Sequence, residues 1–357
     1  MLLMLTWLLS AAAPTARPLS PKVEANAQRP SFSPDGKKLA YELNFHADKR
    51  IQTWVMPVDG EPAQLQPRAG GSSGMTAGFE TATRQEVVHE LSWSPTALGS
   101  LVYSASGADR DYELYLSSTA PLGGSPIAAS PGADGGAVWS PDGQWIAFSS
   151  ARSGQGDVYL LSVEHLEQPP KRISRDEEAS ELYLAWGPNS DRLAWVGHTP
   201  QGDSIFIVED MLRPTPRQLV KLGQTQTRPS FAPDGERVAF YSNHVDPERF
   251  DLYVMALSGQ PKLLAEGVVL NHDGPTWTPD GQSLLFVRDD DARFDPVQVV
   301  SATGGQPRTL PTGTVGNGDL DLAPGAAGAL QLAIAAQGRT GDSVRDFKRI
   351  YLLELTL

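Results

Sequence analysis

The sequence predicts an all-β chain folded as a seven-bladed β-propeller of four-stranded blades, and three observations predict it. The stretch SFSPDGKKLAY, residues 31 to 41, returns as VWSPDGQWIAF, SFAPDGERVAF and TWTPDGQSLLF. Its proline, or a degenerate equivalent, falls at Pro34, Pro95, Pro141, Pro188, Pro233, Pro279 and Pro324, at intervals of 61, 46, 47, 45, 46 and 45 residues. A mid-forties period built from strands is the spacing of propeller blades. The 34 Gly and 29 Pro are spread along the 357 residues instead of being gathered into a linker, as a turn-rich single fold requires.

Each element of the repeat has a physical role. Two residues before each proline stands a large apolar side chain (Phe32, Trp93, Trp139, Trp186, Phe231, Trp277, Leu322), and another follows it by seven or eight (Tyr41, Tyr103, Phe148, Trp195, Phe240, Phe286, Leu332). Between them the proline presets φ and the glycine of SPDG accepts a turn geometry that other residues avoid, so strands A and B meet there as a hairpin. Strand C reads as DYELYL, GDVYLLS, GDSIFIVE and FDLYVMAL, with apolar alternation, and strand D as PAQLQ, KRISR, RQLVK, PKLLA and PRTLP. The last repeat ends with RIYLLEL as its strand C. Leu19 in RPLS stands 15 residues before Pro34, as Ile173 does before Pro188 and Leu264 before Pro279. An amino-terminal strand is therefore expected to join the last blade and close the ring, leaving no free edge.

These SPDG repeats, with an aromatic before them and a D-x-Y strand after, resemble the WD40-like repeats of the TolB propeller and of the propeller that caps prolyl oligopeptidase family enzymes. The resemblance spans residues 17 to 357 and implies the fold. Two departures stand out: the α/β domain that precedes the propeller of TolB is missing, and seven blades are counted where TolB has six. No hydrolase domain follows, so the peptidase activity of the oligopeptidases is not carried over. A fold that serves many proteins leaves function to the site.

The opening MLLMLTWLLSAAAPTA has an apolar run followed by small residues, the layout of a signal peptide over residues 1 to 13, with a buried first strand or helix as the other reading. Pro14 and Arg17 cut the run too short for a membrane span. Without cysteine there is neither a disulfide nor a lipidated amino terminus, so the expected protein is periplasmic or secreted and not inserted in a membrane. The net charge of -13 argues against nucleic acid and for a basic or cationic protein or peptide partner.

Strand directions put the A-to-B and C-to-D turns on one face and the longer B-to-C and D-to-A loops on the other, the loop face, where acidic residues concentrate. The insertion at residues 67 to 86 belongs to that face and reads as a Gly- and Ser-rich loop, with Met75 and Phe79 as the partner-contacting alternative. Its GGSSG matches a nucleophile elbow, but no strand and helix flank Ser72 as that elbow needs. His46, His198 and His244 fall in B-to-C loops, while His89 and His272 open strand A, nearest the axis. No two have close ligand spacing, so no metal is expected from them. The acidic run Asp289, Asp290, Asp291 offers Ca²⁺ oxygens without the spacing of a calcium loop, which leaves a solvated turn. The aspartates opening strand C (Asp111, Asp157, Asp203, Asp251, Asp295) recur and read as scaffold.

The channel mouth is expected from the residue five before each motif proline: Arg29, Glu90, Gly136, Tyr183, Arg228, Gly274 and Asp319. Charge, aromatic and glycine vary there from blade to blade, as an asymmetric ligand requires. With His89 and His272 they are the binding candidates of a non-catalytic binding protein. No cofactor loop is present and no cofactor is expected. The alternative is a lyase or hydrolase acting on a sugar or peptide at the channel mouth.

Overall fold

The computed structural model describes residues 16–45, 47, 50–60, 65–67, 73–75, 88–96, 100–106, 112–117, 126–154, 156–174, 179–290, 294–325, 328–338 and 347–355. They form a ring of seven antiparallel blades, each counted from an inner strand A. Blade 4 is representative: Ser180–Trp186, Leu193–Thr199, Gly202–Val208 and Arg217–Val220 pair in that order.

Seven hydrophobic clusters hold the ring, and each joins two neighbouring blades. One sets Ala40 and Val55 of blade 1 against Trp93 and Tyr103 of blade 2, while another sets Leu39 and Trp54 of blade 1 against Ala333 and Ile350 of blade 7. The apolar residue after each motif is buried to 1% exposure or less in all seven blades, from Tyr41 to Leu332. Its partner is often an aromatic of strand C, as in Tyr103–Tyr115, Phe148–Tyr159, Trp195–Phe206 and Phe240–Tyr253, with centroids 5.6 to 6.2 Å apart.

The repeated turn is a closed hydrogen-bond unit. In blade 1 Ser33 Oγ donates to Asp35 Oδ1 at 2.7 Å and accepts from the Lys38 N–H at 2.9 Å, while the Gly36 N–H bonds to the Ser33 carbonyl at 2.8 Å. Gly36 has φ +66°, and a Cβ there would stand 3.3 Å from the carbonyl oxygen of Pro324, the motif proline of blade 7. The indoles of Trp93, Trp186 and Trp277 each donate to a carbonyl of the preceding blade, at Ser31, Val138 and Ser230 respectively.

Three elements depart from expectation. Leu65–Pro67, expected as the fourth strand of blade 1, pairs with Ser73–Met75 of the insertion, so the described part of that blade has three strands. PAQLQ begins at Pro62 and is followed by Pro67, and neither proline has an N–H to give a ladder. Strand A of blade 6 is split into Val268–Val269 and Thr276–Trp277, because Pro275 and the turn at Asn271–Gly274 interrupt it. Asp295 precedes strand C of blade 6, Val297–Ser301, and lies outside it.

At the amino terminus Arg17–Pro18 pairs antiparallel with Arg349–Leu355, two residues in register. The Leu19 N–H then bonds to the Ile350 carbonyl at 2.8 Å, and the Leu19 side chain is fully buried. The segment expected as a signal peptide lies outside the described residues. No helix among the described residues is long and apolar enough to cross a membrane.

Candidate functional site

Five of the seven residues five before the motif prolines, those of blades 1 to 5, share one backbone feature. The pairing of strands A and B shifts register between Gln28 and Ser31, His89 and Ser92, Gly135 and Val138, Leu182 and Ala185, and Thr227 and Ser230. Each shift is a β-bulge bracketing the expected mouth position. At four of them φ is left-handed: Arg29 +51°, Gly136 +61°, Tyr183 +54° and Arg228 +55°. Arg and Tyr adopt that region rarely and at a cost, and a bulge re-aims its side chain out of the pleat. Here the side chains turn into the axial channel.

They wall a chamber of about 340 Å³ that Arg29, Trp93, Tyr183, Arg228, His272 and Asp273 help to line. Arg29 Nη1 donates to Glu42 Oε1 at 2.9 Å, with that carboxylate fully buried, and Arg29 Nη2 stands 3.7 Å from Asp273 Oδ1. Arg228 Nη1 donates to the His272 carbonyl, and the guanidinium lies 4.6 Å over the Tyr183 ring. The His272 imidazole meets Tyr183 edge-on at 6.5 Å, and its Nδ1 is 3.3 Å from Asp273 Oδ1. Asp319 accepts from the Arg29 N–H at 3.0 Å and the His272 N–H at 2.9 Å, which ties blades 1, 6 and 7 together around the axis.

Two carboxylates in the chamber are driven in opposite directions. Asp273 stands in the chamber wall with its side chain 57% exposed. Desolvation pushes its carboxyl up, but the hydrogen bond from His272 and the charges of Arg29, His272 and Arg228 together outweigh this and hold it at about 2. Asp321 is pushed up to about 7, first by desolvation and then by the charge of Asp273, against hydrogen bonds from the Phe32 and Leu322 N–H groups.

A second compartment of about 440 Å³ adjoins the first, sharing Arg29, Gly136 and His272. Small and hydroxyl side chains dominate its wall, with Ser104, Ser149 and Ser180 beside Tyr112 and Leu182. The carboxylate of Asp134 there is paired to Arg152 at 2.9 Å.

Four of the expected binding residues, Arg29, Tyr183, Arg228 and His272, thus meet in one chamber, and Asp319 clamps the backbone behind it. His89 and Glu90 lie in Val88–Trp93, but their side chains are outside the described residues. His198 and His244 stay away from the chamber, 2.5 Å from Asp203 Oδ1 and 3.0 Å from Ser242 Oγ respectively. His46, Ser72, Phe79, Asp111 and Asp291 lie outside the described residues. Asp290 Oδ1 accepts from the Phe294 and Asp295 N–H groups at 2.8 and 3.2 Å, and the Asp289 N–H bonds to the Gly267 carbonyl. Asp157 and Asp251 bond to Arg172 and to the Gly267 N–H, as scaffold residues would.

Sequence reasoning missed Asp273 and Asp321. Asp321 carried a signal: three residues before the motif proline the other blades have Ser31, Ser92, Val138, Ala185, Ser230 and Thr276, and only blade 7 has a carboxylate.

No family model matches the chain. An 89-residue stretch is 30% identical to the "Uncharacterized peptidase YuxL" of Bacillus subtilis, covering 24% of this chain and 13% of that protein. Among solved structures, TolB from Acinetobacter baumannii superposes with a TM-score of 0.52 at 15% identity, over 81% of this chain and 64% of that one. The oligogalacturonate lyase of Vibrio parahaemolyticus superposes with a TM-score of 0.60 at 12% identity, over 96% and 97%. The chain therefore spans about an eighth of the curated relative and under two thirds of the TolB chain. At such identities the likeness establishes the propeller fold shared with TolB.

Proposed function

We propose that this chain is a non-catalytic binding protein, periplasmic or secreted, that takes a peptide segment of a protein partner at the acidic loop face and into the axial chamber. The observation that carries the reading is the convergence of strained bulge residues: Arg29, Tyr183 and Arg228 hold left-handed φ and all face one cavity. A scaffold alone gains nothing from long side chains where glycine fits without cost. The mixture of guanidinium, aromatic and carboxylate suits a peptide, which presents both charges and apolar groups. The net charge of -13 favours basic residues in the partner.

The test is a fluorescence titration with synthetic short-peptide libraries, using Trp93 in the chamber wall as reporter. Binding is expected to weaken at about 0.5 M salt, where exposed charge contacts are screened. It is also expected to fall in Tyr183→Gly, which removes the chamber's aromatic wall and keeps a residue at ease with that φ. Peptides that bind Tyr183→Gly as well as the wild type would sink the reading, as would a wild type that binds none.

A specific observation favours a second reading, an enzyme acting on a sugar or peptide at the same place. The pair Asp273 at about 2 and Asp321 at about 7 offers one ionised and one protonatable carboxyl in a single chamber, the division of labour acid–base catalysis uses. Turnover of oligosaccharide or peptide substrates that follows the ionisation of Asp321 and vanishes in Asp321→Asn would establish it.

A further inference from the structure

We propose that Arg228 is a carboxylate receptor, and that the chamber takes the carboxylate end of its ligand there while the ligand's body runs past Tyr183 and Leu182 into the second compartment. The inference rests on the binding reading above and specifies its chemistry.

The charges in the chamber are unevenly matched. Arg29 is neutralised by buried Glu42 at 2.9 Å and faces Asp273 at 3.7 Å. Asp273 in turn is engaged by Arg29 and His272. Arg228 has no ion pair among the described residues. Its guanidinium makes one hydrogen bond, from Nη1 to the His272 carbonyl, and its Nε is buried without an acceptor. Nη2 has no acceptor among the described residues, and Arg228 lines the chamber, so the cation can take the oxygen of a ligand carboxylate at its Nη2 end. Tyr183 packs against the guanidinium, with Cζ 4.6 Å from the ring centroid, a cation–π contact that orders the side chain.

The body of the ligand has a path. Leu182 and Tyr183 are 39% and 36% exposed although both lie inside the ring, one in the wall of each compartment. The second compartment is also lined by Ser104, Ser149 and Ser180. A wall of small hydroxyl residues together with exposed apolar side chains suits a ligand with a polar backbone and apolar substituents.

A peptide C-terminus and a sugar acid present the same planar carboxylate, so the test separates them. Wild type and Arg228→Gly are titrated with an N-acetylated tetrapeptide library in free-acid and amidated forms, and with D-glucuronate against methyl glucoside. Glycine suits the left-handed φ, and folding of the variant is checked by its Tm. Free-acid peptides are expected to bind the wild type about tenfold more tightly than the amides, a preference lost in Arg228→Gly. Equal binding of acid and amide by the wild type, or a preference kept in the variant, overturns the carboxylate receptor while leaving the peptide reading in place. Glucuronate binding that depends on Arg228, without peptide binding, upholds the receptor and overturns the peptide reading. If none of the probes binds, both fall.

Discussion

Arg29, Tyr183 and Arg228 carry long side chains at backbone angles that suit glycine, and blades 3 and 6 have glycine at the equivalent positions, Gly136 and Gly274. A left-handed φ costs a residue with a Cβ about 1 kcal/mol relative to glycine. Thermal unfolding of two variants at one position isolates that cost: Tyr183→Gly is expected to be about 1 kcal/mol more stable than Tyr183→Ala, the reverse of the order in an ordinary strand. Asp321 gives a pH signature. Its carboxyl, at about 7 in the folded protein against 3.8 ordinarily, keeps a proton that the unfolded chain releases. The folded state therefore loses stability as pH rises from about 4 to about 7. Stability measured against Asp321→Asn should shift against the wild type by on the order of 2 kcal/mol between pH 5 and 8. A constant difference across that range would place the Asp321 carboxyl in the ordinary range. At this scale the sequence located Arg29, Tyr183 and Arg228 because they vary at a fixed position of the repeat, and His272 because it stands where strand A was expected to open, nearest the axis. It did not reveal that Asp273 would pair with His272 and Arg29, since that contact joins blades 1 and 6, which are far apart in the chain.

Among elements, the SPDG turn and the bulged strand A divide the work. The turn is legible in sequence because every bond it makes, such as Ser33 to Asp35, is local and repeats in Ser140–Asp142 and Thr278–Asp280. The bulge was legible only as a position. Its φ and its aim depend on pairing with strand B, which spacing alone does not encode. Likewise PAQLQ has the pattern of a strand D, yet pairs with the insertion. The motif tryptophans provide a test of inter-blade bonding. Trp277 Nε1 donates to the Ser230 carbonyl at 3.2 Å, whereas Trp139 Nε1 is buried with no partner. Both substitutions to Phe lose similar volume. Trp277→Phe also loses an inter-blade hydrogen bond, so it is expected to cost about 1 kcal/mol more than Trp139→Phe in denaturant unfolding.

For the whole molecule, seven blades follow from seven inter-blade clusters, and one of these includes Leu19 beside residues of blades 1 and 7. If the amino-terminal segment secures that junction, Leu19→Ala should cost about 2–5 kcal/mol, as for any fully buried leucine. Leu212→Ala, at a side chain 90% exposed, should cost almost nothing. The blade count was readable because period and phase agree across the whole chain. The chamber's balance of charge was not, because it is a sum over contributions from most of the blades. The most direct measurement of the central claim is backbone hydrogen exchange with and without a peptide selected for binding. The account predicts added protection in the inner strands at residues 29, 31, 32, 183, 184, 228, 272 and 273. Protection confined to outer loop residues such as Val245 and Phe294, with the inner strands unchanged, would contradict it.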